Sequence, residues 1–222
     1  MARNAVQALV FDVYGTLFDV ASLERLAEER FPGRGGELSR LWRSKQLEYT
    51  WLLSLMGRYE DFEEVTRRAL RYAAKALGLS LDEALEVRFL QAYRSLPPFP
   101  EVREALGSLA ERFPLAVLSN GTPAMLRDLL EDSGLAPYFR HVLSADAVGV
   151  YKPSPRVYRL ALDTFRLPVE AIGFVTANAW DALGAAAFGF KVFWVNRAGQ
   201  PEEAWEPPPH HPVRGLEALL EP

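Results

Sequence analysis

From residue 101 onwards, short apolar segments alternate with helical segments, and few folds accommodate that order. One further apolar segment, residues 8–11, lies near the start of the chain. The predicted strands span residues 8–11, 115–118, 141–143, 172–175 and 192–195, and the predicted helices span residues 101–112, 123–133, 154–165 and 180–188. Strands that alternate with helices form a parallel sheet that helices cover on both faces. The sequence therefore predicts an α/β fold with a doubly wound, Rossmann-like parallel sheet.

Residues 20–96 lack strand-like segments and have the periodicity of helices instead. Three helices are predicted there, over residues 37–56, 62–77 and 81–96. The proline-rich residues 97–100 end this helical region with a stiff linker. We expect a helical cap domain of residues 20–96, inserted into a catalytic core formed by residues 1–19 and 97–222. The proline-rich tail, residues 200–212, is predicted to be irregular.

Charge and composition exclude several classes of protein. The 222 residues include 25 basic and 29 acidic ones, so the net charge of −4 offers no basic surface for nucleic acid. No apolar segment is long enough to cross a membrane, and an acidic residue follows the start too early for a signal peptide. The absence of cysteine excludes disulfides, thiol nucleophiles and zinc–thiolate sites. We expect a cytoplasmic enzyme.

Polar side chains follow four of the five predicted strands, at or soon after the end of each strand. In chain order they are Asp12 and Thr16, then Ser119 and Asn120, then Lys152, and finally Thr176, Asn178 and Asp181. The carboxyl ends of parallel strands meet at one edge of the sheet, where ligands bind. A single such residue is weak evidence, but four successive strand ends predict one site. There the Asp12 carboxylate is either a nucleophile or a metal ligand.

This order of an aspartate, a hydroxyl residue, a lysine and a second aspartate resembles the haloacid dehalogenase superfamily of hydrolases. Over nearly its whole length the chain is similar to one branch, the type II L-2-haloacid dehalogenases. The matching segments are FDVYGTLFDV from residue 11, LWRSKQLEYTWLLSLM from 41, LSNGTP from 118, YKPSPRVY from 151 and NAWDALGAAAFGF from 178. Thr176 is a departure, because that branch usually has serine there, and the added methyl group can alter activity.

The resemblance implies hydrolysis of short (S)-2-haloacids to (R)-2-hydroxyacids and halide through an ester on Asp12. The implied catalytic residues are Asp12, Thr16, Arg43, Ser119, Lys152, Tyr158, Thr176, Asn178 and Asp181. The implied substrate-binding residues are Tyr14, Arg43, Leu47, Phe62, Ser119, Asn120 and Trp180. The resemblance also implies a homodimer formed through the long cap helix.

Two positions argue against the magnesium-dependent phosphatases that make up most of the superfamily. Those enzymes carry a second aspartate two positions after the nucleophile as the general acid, and this chain has Tyr14 there. Tyrosine is a poor proton donor at neutral pH. The fourth motif reads Thr176-Ala177-Asn178, without the acidic residue that Mg²⁺ would favour. Because a halide leaves without a proton, dehalogenation needs no such acid. We expect neither a metal nor another cofactor.

Two alternatives to a metal-free dehalogenase stay open at this stage. One is a phosphatase that uses Mg²⁺ to hydrolyse a small phosphoester. The other is a catalytically silent dimer that binds a small carboxylate. Arg43 on a helix could also be a surface salt-bridge residue, and Asn178 and Asp181 could cap a helix start.

Overall fold

The computed structural model of the protein describes residues 6–202 and 211–220. Within these residues, six parallel strands form one sheet in the order β3-β2-β1-β4-β5-β6. The strands are β1 (Ala8–Phe11), β2 (Leu115–Ser119), β3 (His141–Ser144), β4 (Ile172–Thr176), β5 (Lys191–Val195) and β6 (His211–Val213). The helices are α1 (Leu23–Arg30), α2 (Gly35–Leu55), α3 (Phe62–Ala76), α4 (Glu83–Arg94), α5 (Val102–Ala110), α6 (Pro123–Asp132), α7 (Pro155–Phe165) and α8 (Ala179–Phe188).

The three central strands β2, β1 and β4 are buried along their whole length. Such continuous apolar strands are typical of a parallel sheet covered on both faces. The five strands predicted from the sequence and the doubly wound fold class are confirmed, with strand ends shifted by one residue at most.

The direction in which the chain is wound changes at β1, and this change creates the crevice for a site. Strand β1 lies between β2 and β4, with Phe11 opposite Val117 on one side and Val175 on the other. Asp12 and Thr176 therefore lie at adjacent strand ends, and Ser119 ends the strand on the other side. A crevice outside the carboxyl ends of the strands at such a switch point is where α/β proteins bind ligands.

Helices α1 to α4, called the helical block below, lie between β1 and α5, and α2, α3 and α4 correspond to the three helices predicted there. Asp61 and Asp82 cap α3 and α4, because their carboxylates accept hydrogen bonds from the amides of Glu64 and Leu85 at 2.9 and 2.8 Å. Helix α1 was not predicted, since its eight residues bury only Leu23 and Ala27. No helix among the described residues has the length and apolar character needed to cross a bilayer.

Two segments connect this helical block to the sheet, and they run side by side. The amide of Asp19 donates to the carbonyl of Pro97 at 2.9 Å, and the amide of Phe99 donates to the carbonyl of Leu17 at 3.0 Å. These two bonds hold the segment that leaves β1 against the segment that leads into α5.

The prediction of an irregular tail was wrong for its last residues. His211–Val213 forms β6, which pairs in parallel with β5 at the edge of the sheet. Pro212 is compatible with a strand at this position because an edge strand leaves one side of its backbone unpaired. The rest of that prediction falls partly on residues 203–210, which lie outside the described residues.

Candidate active site

The Asp12 carboxylate lies directly after β1 and is nearly buried, with 5% of its surface exposed. One oxygen, Oδ2, accepts hydrogen bonds from Thr16 Oγ1 at 2.9 Å and from Asn178 Nδ2 at 2.8 Å. A longer contact of 3.3 Å joins the same oxygen to Thr176 Oγ1. The other oxygen, Oδ1, accepts from Lys152 Nζ at 3.1 Å. Donors from three separate loops therefore fix the orientation of this carboxylate.

Lys152 joins the two aspartates of the site. Its buried ammonium group donates to Asp12 Oδ1 and to Asp181 Oδ2, the latter at 2.9 Å. It also lies 4.9 Å from the centre of the Phe174 ring. Burial alone would lower the pKa of Lys152, but the two carboxylates outweigh burial and raise it above its usual value. The lysine is therefore charged at neutral pH.

Asp181 is the second carboxylate, and it lies in the first turn of α8 with no exposed surface. Its Oδ1 accepts a hydrogen bond of 2.6 Å from the hydroxyl of Tyr158 on α7. Burial raises the pKa of Asp181 to about 6, and the ammonium of Lys152 opposes this shift. Burial also raises the pKa of Tyr158, helped by the negative charge of Asp181, so the phenol stays protonated as a donor.

The loop after β4 completes the surroundings of Asp12. The amide of Ala177 donates to Thr16 Oγ1 at 2.8 Å, which lets that hydroxyl direct its own proton to Asp12. Asn178 occupies the cap position of α8 but makes no side-chain cap bond. Its amide nitrogen donates to Asp12 and to the carbonyl of Tyr14, the latter at 3.0 Å. The interpretation of Asn178 as a simple helix cap is therefore wrong.

Ser119 and Asn120 follow β2 on the other side of Asp12. Ser119 is fully buried, and its Oγ accepts from the amide of Gly121 at 3.1 Å, which leaves its proton able to serve as a donor. The carbonyl oxygen of the Asn120 side chain accepts from the backbone amide of Lys152 at 3.0 Å. The loops after β2 and β3 are thus tied together.

Arg43 approaches from α2, and two buried residues that the sequence analysis missed hold it. Its Nη1 donates to Gln46 Oε1 at 2.7 Å and to the hydroxyl of Tyr93 at 3.3 Å. Tyr93 also donates to Gln46 Oε1 at 3.0 Å. Gln46 is fixed in turn by Thr66, whose Oγ1 accepts from its Nε2 at 2.6 Å. The interpretation of Arg43 as a surface salt-bridge residue is wrong, because its half-buried side chain donates instead to Gln46 and Tyr93.

Aromatic rings connect this network to the loop after β1. The ring centre of Tyr14 lies 5.2 Å from that of Tyr93 and 5.5 Å from that of Phe62, the first residue of α3. Tyr14 and Phe62 are both buried. Burial also raises the pKa of Tyr14, which makes its phenol an even weaker acid. These rings form an apolar wall near the nucleophile.

Leu47 and Trp180 are half-buried, and their links to the site are less direct. Leu47 lies one turn after Arg43 on the same face of α2. Trp180 directly precedes Asp181 on α8, and its ring packs edge-on against that of Trp51, with centres 5.7 Å apart.

The residues present do not fit a Mg²⁺ site. Mg²⁺ needs several oxygen ligands in octahedral geometry, and it often bridges carboxylates. Here the ammonium of Lys152 already lies between Asp12 and Asp181, and the amide nitrogen of Asn178 points at the remaining carboxylate oxygen. Within residues 6–202 and 211–220, no three His, Asp or Glu side chains group closely enough to hold a metal ion.

Comparison with known proteins agrees with this geometry. A family model described as haloacid dehalogenase-like hydrolase matches residues 6–189, most of the chain. The chain belongs to the haloacid dehalogenase-like hydrolase family. This hydrolase is 48% identical over 217 residues to the (S)-2-haloacid dehalogenase of Pseudomonas sp. strain YL, covering 97% of the chain and 94% of that relative. It is 46% identical over 195 residues to haloacetate dehalogenase H-2 of Moraxella sp. strain B, covering 87% of each.

A solved structure is also close to this hydrolase. It is the L-2-haloacid dehalogenase of Xanthobacter autotrophicus with chloropropionic acid covalently bound. The two chains superpose with a TM-score of 0.90 at 39% identity, covering 96% of each. The similarity extends through the helical block as well as the sheet, as the resemblance implied.

Arg197 is another residue of this hydrolase that the sequence analysis missed. The sequence analysis assigns no site residue to the last predicted strand, yet Arg197 follows β5 by two residues and donates to the carbonyl of Thr16 in the loop after β1. The only signal in the sequence was its place after a strand, and many loop arginines share that.

Proposed function

We propose that this hydrolase converts short (S)-2-haloacids to (R)-2-hydroxyacids and halide through an ester on Asp12. The observation that carries the proposal is the pairing of Asp12 with Lys152, at 3.1 Å, in a buried site with Tyr14 two positions later. A carboxylate held by a lysine can attack carbon, whereas phosphoryl transfer needs a metal and an acid that these residues do not supply. The names of the relatives support the same reaction.

In the first step, an oxygen of Asp12 attacks C2 of the substrate from the side opposite the halogen. A carbon–oxygen bond forms while the carbon–halogen bond breaks, and the electron pair leaves with the halide. Attack from the far side inverts the configuration at C2. Fixing the carboxylate in a nearly water-free site lowers the barrier, because orientation is established before the reaction.

In the second step, water attacks the side-chain carbon of Asp12 and releases the hydroxyacid. Asp181 accepts one proton of this water and passes it to the departing alkoxide oxygen of the hydroxyacid, and the other proton is released to solvent as the Asp12 carboxylate forms again. Tyr158 and Lys152 hold the Asp181 carboxylate in place. Thr16, Thr176 and Asn178 orient the ester through the bonds that they make to Asp12. Because this step does not touch C2, the inverted configuration persists in the product.

Donors on both sides of Asp12 bind the rest of the substrate. Ser119, with the backbone amides that follow it, receives the carboxylate of the substrate. Arg43 and the side-chain amide of Asn120 receive the departing halide, where preorganised donors stabilise developing charge. Tyr14, Leu47, Phe62 and Trp180 surround the carbon chain and exclude water.

We further propose that residues 20–96 are a cap over a core of residues 1–19 and 97–222, and that the enzyme is a cytoplasmic homodimer without a cofactor or a nucleic-acid partner. The C-terminal end of α2 and the residue that follows it support the dimer, since 43% of Leu52, 85% of Leu55 and 59% of Met56 is exposed. An exposed apolar patch of this kind is typical of a protein interface.

Halide release from 2-chloropropionate in the presence of EDTA tests the proposed reaction. We expect release by the native protein, with (S)-substrate consumed and (R)-lactate formed. Asp12→Asn, verified as folded by circular dichroism, is expected to release none. Phosphate release from a generic phosphoester only with Mg²⁺ would support the phosphatase instead. Thermal stabilisation by 2-chloropropionate without any turnover would support a carboxylate-binding protein.

A further inference from the structure

Arg197 contacts both segments that connect the helical block to the sheet. Its Nη2 donates to the carbonyl of Thr16 at 2.9 Å, and its Nη1 donates to the carbonyl of Gly15 at 3.4 Å. These two carbonyls belong to the segment that leaves β1. Gly15 has a φ of +84°, a left-handed backbone conformation that residues other than glycine rarely adopt. This conformation sets the direction of its carbonyl group.

On its other side, the same guanidinium contacts the segment that returns to the sheet. Its Nε donates to Glu101 Oε1 at 2.8 Å, and its Nη2 forms an ion pair with the same oxygen at 2.7 Å. The central carbon of the guanidinium lies 4.0 Å from the centre of the Phe99 ring. The side chain of Arg197 is only 21% exposed. One planar group thus bridges the outgoing and returning segments, and a lysine could not make all of these contacts at once.

The segment that leaves β1 begins at the nucleophile Asp12 and includes Gly15 and Thr16. The backbone that Arg197 holds belongs to Thr16, and the hydroxyl of Thr16 donates to Asp12 Oδ2 at 2.9 Å. We infer that Arg197 is a positioning residue, which sets the orientation of the Asp12 carboxylate by fixing the backbone of Thr16. It touches neither the substrate nor the reacting atoms.

This inference rests on the proposed dehalogenation and predicts which rate constant changes. Without Arg197, substrate still binds through Ser119 and Asn120, but Asp12 samples unproductive orientations. We expect Arg197→Met to lower kcat by up to about 100-fold, the scale of a small misplacement of a reacting group. KM stays nearly constant. The impaired step is ester formation, so the rate of halide release in a single-turnover rapid-quench experiment, with enzyme in excess, is expected to fall at least as much as kcat does.

Chemical rescue separates this role from a purely structural one. Guanidinium sulfate added at low concentration is expected to restore part of the kcat of Arg197→Met, and sodium sulfate at the same ionic strength is not. Arg197→Lys is expected to fall between Arg197→Met and the native enzyme. The matched control is Arg112→Met, because Arg112 also donates to a backbone carbonyl, that of Leu220 at 3.1 Å, and lies 5.4 Å from the Phe113 ring.

Each result decides the inference. A reduced kcat with constant KM and rescue by guanidinium supports it, provided that Arg112→Met keeps native kinetics. Native kcat in Arg197→Met overturns it. A loss of kcat that guanidinium does not restore, or one that an equal loss in Arg112→Met matches, also overturns it. If the native protein releases no halide, the proposed function fails instead, so the two failures are distinct.

Discussion

At the scale of single residues, the site depends on two carboxylates with different surroundings. Asp12 receives donors from several loops, whereas Asp181 is fully buried and bonded to Tyr158 and Lys152. Burial raises the pKa of Asp181 to about 6. A carboxyl group with such a pKa can accept a proton from water near neutral pH, which is the property that a general base needs.

The raised pKa of Asp181 predicts the acid limb of the pH profile. The base must be charged, so protonation removes activity, and the rate of ester hydrolysis is expected to fall as the pH drops through the raised pKa of Asp181, which is about 6 in the free enzyme. An unperturbed aspartate would place the same limb near pH 4. Single-turnover hydrolysis of the ester, measured by rapid quench between pH 4 and 9 in about half-unit steps, tests this.

Tyr158→Phe is the matched variant for this pH profile. The hydroxyl of Tyr158 lowers the pKa of Asp181 by donating to the charged form, so its removal is expected to move the acid limb to higher pH. An acid limb that stays in place in Tyr158→Phe, or one near pH 4 in the native enzyme, would contradict the assignment of Asp181 as the base.

At the scale of elements, α2 carries Arg43, which donates to the hydroxyl of Tyr93, and the Tyr93 ring packs against that of Tyr14. Gln46 lies one turn further on, fully buried, and accepts from both Arg43 and Tyr93. An arginine whose position is fixed before the substrate binds needs no reorganisation when halide departs. In the proposed mechanism, Gln46 therefore supports the departure of halide by holding Arg43 in place.

Gln46→Leu keeps a similar volume but removes the acceptor that orients Arg43. We expect kcat/KM for 2-chloropropionate to fall about tenfold, which corresponds to about 1.4 kcal/mol of lost transition-state stabilisation. Steady-state halide release measures this, and Gln91→Leu on the exposed surface of α4 is the control. Native kinetics in Gln46→Leu would mean that Arg43 is held without it.

The elements themselves were largely predictable from the sequence, and so was the sheet-edge part of the site. Apolar strands and their polar ends are local patterns, and parallel strand ends must converge, so Asp12, Lys152 and Asp181 could be placed together. Helix α1 and strand β6 were missed because one is short with little buried surface and the other contains a proline.

The supporting residues of the site could not be predicted. Gln46 and Tyr93 are 47 positions apart, and Arg197 contacts Thr16 across 181 positions. Contacts of this kind depend on how the helical block packs and on where two connecting segments cross. Neither is a local property of the sequence.

At the scale of the whole molecule, the exposed apolar side chains at the C-terminal end of α2 bear on how two copies of the protein associate. Leu55, at 85% exposure, is expected to lie within the proposed dimer interface. Leu55→Glu places a charge there and is expected to shift the protein from dimer to monomer in sedimentation-velocity ultracentrifugation.

A second variant controls for the charge itself. Val87→Glu, at a site on α4 that is 46% exposed, is expected to stay dimeric. A monomeric native protein, or a Leu55→Glu variant that sediments like the native dimer, would contradict the proposed interface.

A single-turnover reaction in H₂¹⁸O tests the covalent route most directly. With enzyme in excess over 2-chloropropionate, water attacks the side-chain carbon of Asp12, and the product keeps an oxygen that came from the protein. We therefore expect mass spectrometry to find ¹⁸O in the peptide that contains Asp12 and none in the lactate. Heavy oxygen in the lactate, with an unlabelled Asp12 peptide, would show that water attacks C2 directly and would contradict the ester mechanism.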